Sequence, residues 1–279
     1  MGVDMHATPR SRVPAARFSL WGGALALAFL AATGARAEEA TQERFERTYE
    51  LQGVRKVRLQ NVNGAVNIES GGEHLRVVAV KTVRRASDAD LLRDTEIRVT
   101  KTGASIEIET ILPKRGSFFP AFLFGRSGSA EVSYQITLPA AIAFEAETVN
   151  GRLGASRRTG DLVLSSVNGA VKVEGQDGPL RVNTVNGSVE VSFAGAMRQA
   201  SLETVNGSVT VTCAKESSIR CALQTTNGRI QSEFPVTIEG KWGPKEARGS
   251  INGGKESLAV ETVNGDVRLF VADSPAARN

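Results

Sequence analysis

The stretch Leu180-Arg181-Val182-Asn183-Thr184-Val185-Asn186-Gly187-Ser188-Val189-Glu190-Val191-Ser192-Phe193 decides the fold of this chain. Leu180 and Val182 alternate with polar residues before Asn186-Gly187, and Val189, Val191 and Phe193 do so after it. Alternation with a period of two marks a β-strand with one buried face, so two short strands meet at the Asn-Gly pair. Asn tolerates the left-handed backbone region and Gly enters it freely, which predicts a sharp left-handed turn at the pair.

Working outward, the unit (Ser/Thr)-Val-Asn-Gly-x-Val recurs along the chain. Its turns are Asn63-Gly64, Asn150-Gly151, Asn168-Gly169, Asn186-Gly187, Asn206-Gly207, Asn227-Gly228, Asn252-Gly253 and Asn264-Gly265. From Asn150 onward the Asn-to-Asn steps are 18, 18, 20, 21, 25 and 12 residues, the last two together making about two ordinary steps. Asn-Gly between alternating strands is also the signature of an antiparallel hairpin, which would build a meander or a β-sandwich. Register favours the other solution, a β-solenoid of 18–21-residue coils stacked in parallel. Seven of the eight copies carry Ser or Thr two residues before the Asn, and seven carry Val, Leu or Ile two after the Gly. Stacked coils place identical residues in columns, whereas hairpins have no reason to.

The rest of the chain fits around this repeat. With 41% apolar and 23% charged residues, it can bury a real core. Arg10, Arg12 and Arg17 precede the apolar run Phe18 to Ala32, which leads into the small-x-small site Ala35-Arg36-Ala37. Residues 1–37 therefore read as a cleaved signal peptide, the apolar run being too short to span a bilayer. That segment holds four Arg and one Asp, so the remainder carries 30 Lys+Arg against 29 Asp+Glu. A nearly neutral chain argues against nucleic acid as a partner, and the doublets Arg84-Arg85 and Arg157-Arg158 read as solvated turn residues. No cysteine stands by the cleavage site to take a lipid, no second apolar run follows, and the tail 273–279 is polar, so neither a lipid nor a membrane span is expected.

Residues 43–139 are less regular than the repeat part, 140–272, and are expected to form one continuous domain with it. Strand alternation occurs at Val54 to Leu59, Leu75 to Val83, Ile97 to Thr100, Ile106 to Ile111 and Val132 to Leu138. Ser87-Asp88-Ala89-Asp90 before Leu91-Leu92 predicts a short helix with Ser87 as its cap. Phe118, Phe119, Phe122 and Phe124 cluster between Pro113 and Gly128, as an end plug or as an anchor for a partner.

On these residues the chain resembles the DUF4097 family of adhesin-like exported bacterial proteins. The most specific stretches are Gly249-Ser250-Ile251-Asn252-Gly253-Gly254, then Leu258 through Val267, and the strand Tyr134-Gln135-Ile136-Thr137-Leu138-Pro139 leading into the repeats. The resemblance implies a β-solenoid and an envelope location, and brings no catalytic residue set with it.

Chemistry narrows the functional classes further. Outside residues 1–37 the only histidine is His74, in the turn-like Gly71-Gly72-Glu73-His74, which gives nucleophilic catalysis no base to centre on. There is no His pair, EF-hand run or Gly-rich calcium repeat, so no metal or cofactor is expected. Gly175-Gln176-Asp177-Gly178 reads as an isolated turn. Cys213 and Cys221 are expected to form a disulfide in an oxidising compartment. These features predict an exported, non-catalytic envelope module for binding or scaffolding, its partner an envelope protein or a glycan. Two readings stay beside it. One is a polysaccharide hydrolase or lyase using paired carboxylates among Glu174, Asp177, Glu190 and Glu203, and the other is an envelope-stress sensor or regulatory partner.

Overall fold

The computed structural model of the chain describes residues 41–113, 130–195, 197–240 and 243–272. The signal-peptide reading, the four phenylalanines at 118–124 and the polar tail lie outside the described residues.

Each repeat is one coil of a two-sheet solenoid. One strand runs up to the Asn-Gly corner in the first sheet, and the next leaves it in the second. Four coils follow the chain in order: β8/β9 (Ala143–Asn150, Leu153–Ser156), β10/β11 (Leu162–Asn168, Val171–Gln176), β12/β13 (Leu180–Asn186, Val189–Phe193) and β14/β15 (Ala200–Asn206, Val209–Cys213). Neighbouring coils pair in parallel in both sheets, with Asn168 opposite Asn150 and Asn186, and Asn206 opposite Asn186. The parallel pairing replaces the hairpin alternative. The inward positions Leu162, Leu164, Val171, Val173, Leu180, Val182, Val189 and Val191 are all buried. Each Leu or Val so buried contributes roughly 1.5–3 kcal/mol. One core runs from Val54 to Leu269.

At both ends the spatial order departs from the chain order. Coil β2/β3 (Lys56–Gln60, Val66–Ser70) stacks on β8/β9, and coil β6/β7 (Ser105–Ile111, Glu131–Leu138) lies outside it. At the other end β20/β21 (Glu256–Asn264, Val267–Val271) sits between β14/β15 and β16/β17 (Ile219–Asn227, Ile230–Ser232). The last sequence coil thus fills a gap left earlier. The 36 residues between Asn227 and Asn264 also hold an antiparallel pair, β18 (Thr237–Glu239) and β19 (Lys245–Ile251).

Antiparallel strands close the stack. At one end β4 (Leu75–Val83) pairs with β7, β1 (Thr41–Tyr49) pairs with β4, and β5 (Glu96–Thr102) pairs with β6. Helix α1 (Asp90–Asp94) packs Leu91 and Leu92 against Val83 and Ala130. Its N-cap is Ala89, without a side-chain hydrogen bond, so the Ser87 cap is not formed; a 3-10 turn over Ala86–Asp88 precedes it instead. At the other end Phe234 and Val236 pack on the core beside Ala247 and Ile251 of β19.

Arg158 corrects the solvated-doublet reading. Arg157 is exposed, at φ 53°, but Arg158 is buried. Its guanidinium donates to the carbonyls of Leu138 (3.4 Å), Pro139 (2.8 Å) and Ile142. Those residues form the crossover that carries the chain from β7 past the β2/β3 coil to β8. Arg158 meets carbonyl dipoles rather than a carboxylate, and burial lowers its pKa to about 10, which leaves it charged at neutral pH.

Candidate functional site

The most continuous feature of the surface is the column of Asn-Gly corners, and each residue of the repeat has a distinct contact there. In five coils the buried Ser or Thr donates its hydroxyl to the glycine carbonyl of the neighbouring coil, while Thr148 is buried without a hydrogen-bond partner for its hydroxyl. The bonds are Ser166 to Gly151 (3.2 Å), Thr184 to Gly169 (3.1 Å), Thr204 to Gly187 (3.0 Å), Thr262 to Gly207 (2.9 Å) and Thr225 to Gly265 (2.8 Å). Where the column runs out, the substitutes are specific. Asn61 stands in the Ser/Thr position of its coil and reaches Val132 O at 2.8 Å, and Thr110 bonds Tyr134 Oη at 2.6 Å. Burial pushes the Tyr134 phenol up to about 12.

The asparagines form an amide ladder. Nδ2 of each donates to Oδ1 of the next through Asn150–Asn63, Asn168–Asn150, Asn186–Asn168, Asn206–Asn186, Asn264–Asn206 and Asn227–Asn264, all at 2.8–2.9 Å. At the usual strand spacing of ~4.8 Å the ladder is about 29 Å long. Beside it stand the valines that precede each Asn. Val167, Val185 and Val205 are each 40% exposed, and Val62, Val149 and Val263 extend the stripe at intermediate exposure.

The glycines overturn the left-handed reading for most corners. Gly151, Gly169, Gly187, Gly207, Gly228 and Gly265 are not at positive φ. A Cβ on any of them would lie 1.8–2.1 Å from the carbonyl oxygen of the stacked glycine in the neighbouring coil. Glycine is needed there for close approach of backbones, not for handedness. Gly64 alone among the ladder glycines has positive φ, 116°. Asn252-Gly253 is no ladder corner. With φ of 47° and 91° it turns between β19 and β20, and Asn252 Nδ2 binds the carbonyls of Lys215 (2.9 Å) and Ser217 (3.0 Å).

The other candidates scatter. Glu174 and Glu190 lie on the outer side of one sheet, where Lys172 pairs with Glu174 at 2.7 Å and faces Glu190 in register. Glu203 stands on β14 in the other sheet, and Asp177 is exposed beyond the end of β11. These carboxylates do not converge on one site. Within Gly175-Gln176-Asp177-Gly178, Gln176 is wholly buried and donates to Gly160 O at 3.2 Å and Pro179 O at 3.3 Å. His74 is exposed, with Nδ1 3.2 Å from Glu50.

Cys213 and Cys221 are both buried free thiols, Cys213 on β15 of one sheet and Cys221 on β16 of the other. The expected disulfide is not formed, because the residues belong to opposite walls of the core. Burial pushes the Cys213 thiol up to about 12 and raises Cys221 as well. Among the described residues no group of three or more His, Cys, Asp or Glu could hold a metal ion, and no helix is long and apolar enough to cross a membrane.

Comparisons with known proteins place this architecture. No curated protein matches. A crystal structure described as a "putative cell adhesion protein" from Clostridium sporogenes is 17% identical, with a TM-score of 0.44, covering 83% of this chain and 100% of the other. A "putative adhesin" from Bacteroides fragilis is 12% identical, with a TM-score of 0.38, covering 82% of this chain and 97% of the other. A "putative lipid binding protein" from Parabacteroides distasonis is 10% identical, with a TM-score of 0.29, covering 82% and 96%. The family model of DUF4097, Toastrack, matches residues 52–269, and the chain belongs to that family.

Proposed function

We propose that the protein is an exported, non-catalytic module of the cell envelope that binds or scaffolds an envelope protein or a glycan through its corner ridge. The observation that carries this reading is the Val and Asn ridge, in which equivalent groups recur at successive coils around Val167, Val185 and Val205 and are fixed from below by the Ser/Thr and Gly contacts. Such a surface offers many equal, weak contacts rather than one deep pocket, and therefore suits an extended or repetitive ligand held by multivalency. Export and an envelope location are supported by the sequence of residues 1–37.

The test is a pulldown from envelope extract and glycan fractions with the native chain and with Val167→Lys/Val185→Glu/Val205→Lys. The triple variant should keep its melting temperature, since all three side chains are substantially exposed and neighbouring charges alternate in sign, and lose retention at least about tenfold. Equal retention by the two proteins would remove the ridge from the function.

A further inference from the structure

The second sheet ends on β1, a nine-residue strand paired with β4 on one side and, among the described residues, with no strand on the other. Long unpaired edges invite another strand, and proteins ordinarily blunt them with short length, proline, bulges or charge. Strand β1 has no proline and pairs with β4 in unbroken register from Thr41 to Tyr49. It is charged, but the order of its charges is self-complementary.

The sequence is Thr41-Gln42-Glu43-Arg44-Phe45-Glu46-Arg47-Thr48-Tyr49. If two copies run antiparallel about a two-fold axis at Phe45, Glu43 faces the second copy's Arg47, Arg44 faces its Glu46, and Phe45 faces Phe45. By symmetry each charge pair occurs twice. Directly opposed residues in an antiparallel ladder must present their edge groups alike, so the axis must pass through a residue. Shifting it to Arg44 or to Glu46 sets Arg44 against Arg44 or Glu46 against Glu46, and like charges directly opposite are destabilising. The pattern therefore selects one register and disfavours its neighbours.

Both faces of the strand take part. Glu43, Phe45 and Arg47 lie on the side of β4 residues Lys81, Ala79 and Val77; Ala79 and Val77 are buried in the core, and the buried Lys81 ammonium sits 3.1 Å from Glu43. Arg44 and Glu46 lie on the other side, where Arg76 also binds Glu46. Phe45 and Tyr49 are only partly buried against the core, so a second copy would cover apolar surface as well as pair charge.

We infer that the chain forms a two-fold dimer by antiparallel pairing of β1 with β1 of a second copy, making one continuous sheet across the pair. The interface is isologous, the commonest way for a chain to close on itself. It is narrow, so micromolar rather than nanomolar self-association is expected.

Light scattering on the purified full chain from about 1 to about 200 μM, a range that spans micromolar association, should show a rise from monomer to dimer mass. Salt at about 1 M should weaken the dimer, because it screens the exposed pairs. Arg44→Glu/Arg47→Glu turns every facing pair into like charges. It should be monomeric throughout the range, with the native far-ultraviolet spectrum and a cooperative melt. Mixing it with Glu46→Arg makes three of the four facing pairs opposite again and should restore a heterodimer. Independently, Phe45→Cys should give a disulfide-linked dimer on mild oxidation, as the two residues meet on the axis, and Thr41→Cys should not. A native chain that stays monomeric to the highest concentration, or a dimer indifferent to the charge reversal, overturns the inference.

Discussion

Gly187→Ala is the sharpest test of what the repeat encodes. The new Cβ would stand 2.1 Å from Gly169 O, 2.6 Å from Gly169 C and 3.0 Å from Ala170 N, all backbone atoms of the neighbouring coil. Relief requires the two coils to part by about an ångström at the corner, since real carbon-oxygen contacts lie beyond 3 Å. That movement loosens the Thr184 hydroxyl bond to Gly169 O and the Asn186 to Asn168 amide bond. Overpacking costs about 1–3 kcal/mol, and each weakened hydrogen bond up to about 1 kcal/mol. Their combination is about 3 kcal/mol, or a fall in melting temperature of about 6–12 °C for a domain of this size. A paired substitution separates close approach from handedness. Gly187→Asn should be no better than Gly187→Ala, whereas at Gly53, with φ 74° and nothing within 4 Å of a Cβ, Asn should be tolerated better than Ala. Melting of Gly187→Ala within about 1 °C of native would refute the stacking argument, being far below the shift just derived. So would rescue by Asn, which would return the corner to the left-handed explanation.

Two further outcomes follow from the buried polar groups. Arg158→Ala should lower stability by about 3 kcal/mol, because the crossover carbonyls of Pro139 and Ile142 lose their donor; a thermal melt unchanged from native would mean that the crossover is held by other contacts. Cys213 and Cys221 should resist a thiol reagent at pH 8 in the folded protein and react, two per chain, after denaturation without reductant. Burial raises both thiols and leaves little thiolate to react, and fewer than two reactive thiols after denaturation would show that a bond forms after all.

Reading strands from this sequence succeeds where inward residues are apolar and outward ones polar. The alternation at Val132 to Leu138 falls within β7, where Val132, Tyr134, Ile136 and Leu138 are buried, and the alternating apolar residues on either side of Asn186-Gly187 are buried as well. Strand β1 escapes it because only Phe45 and Tyr49 of its nine residues are apolar aromatics, spaced four apart, and an edge strand need bury little. Strand β19 escapes for a similar reason, with Ala247 and Ile251 its buried residues. The false corner at Asn252 did carry a signal, since Lys255 occupies the position where seven other copies have Val, Leu or Ile. Gly is less legible. It answers both a demand for positive φ and a demand for close backbone approach, and the letter alone does not say which. Arg158 misleads because burial of an arginine without a carboxylate is rare, and nothing local in Arg157-Arg158 reveals the carbonyls that gather around it.

The candidate surface follows from the same division of labour that builds the fold. In five corners the Ser or Thr is bonded to the glycine carbonyl of the neighbouring coil and the Gly is packed against it, which leaves Asn and the residue before it, Val in all but the Asn227 corner, to face outward. An asparagine side chain has two N–H donors and an oxygen with two acceptor sites. In an interior rung of the ladder, one donor and one acceptor site are taken by adjacent amides, so half the capacity of the group remains for solvent or ligand. Because the amides hold one another laterally, those remaining groups are fixed at the coil spacing of ~4.8 Å rather than free to adapt. A ligand that meets one rung can meet the next only if its own groups recur at a compatible spacing. Affinity should then grow with the number of coils covered, and removal of a single asparagine should cost little, a distribution opposite to that of a pocket with one dominant contact.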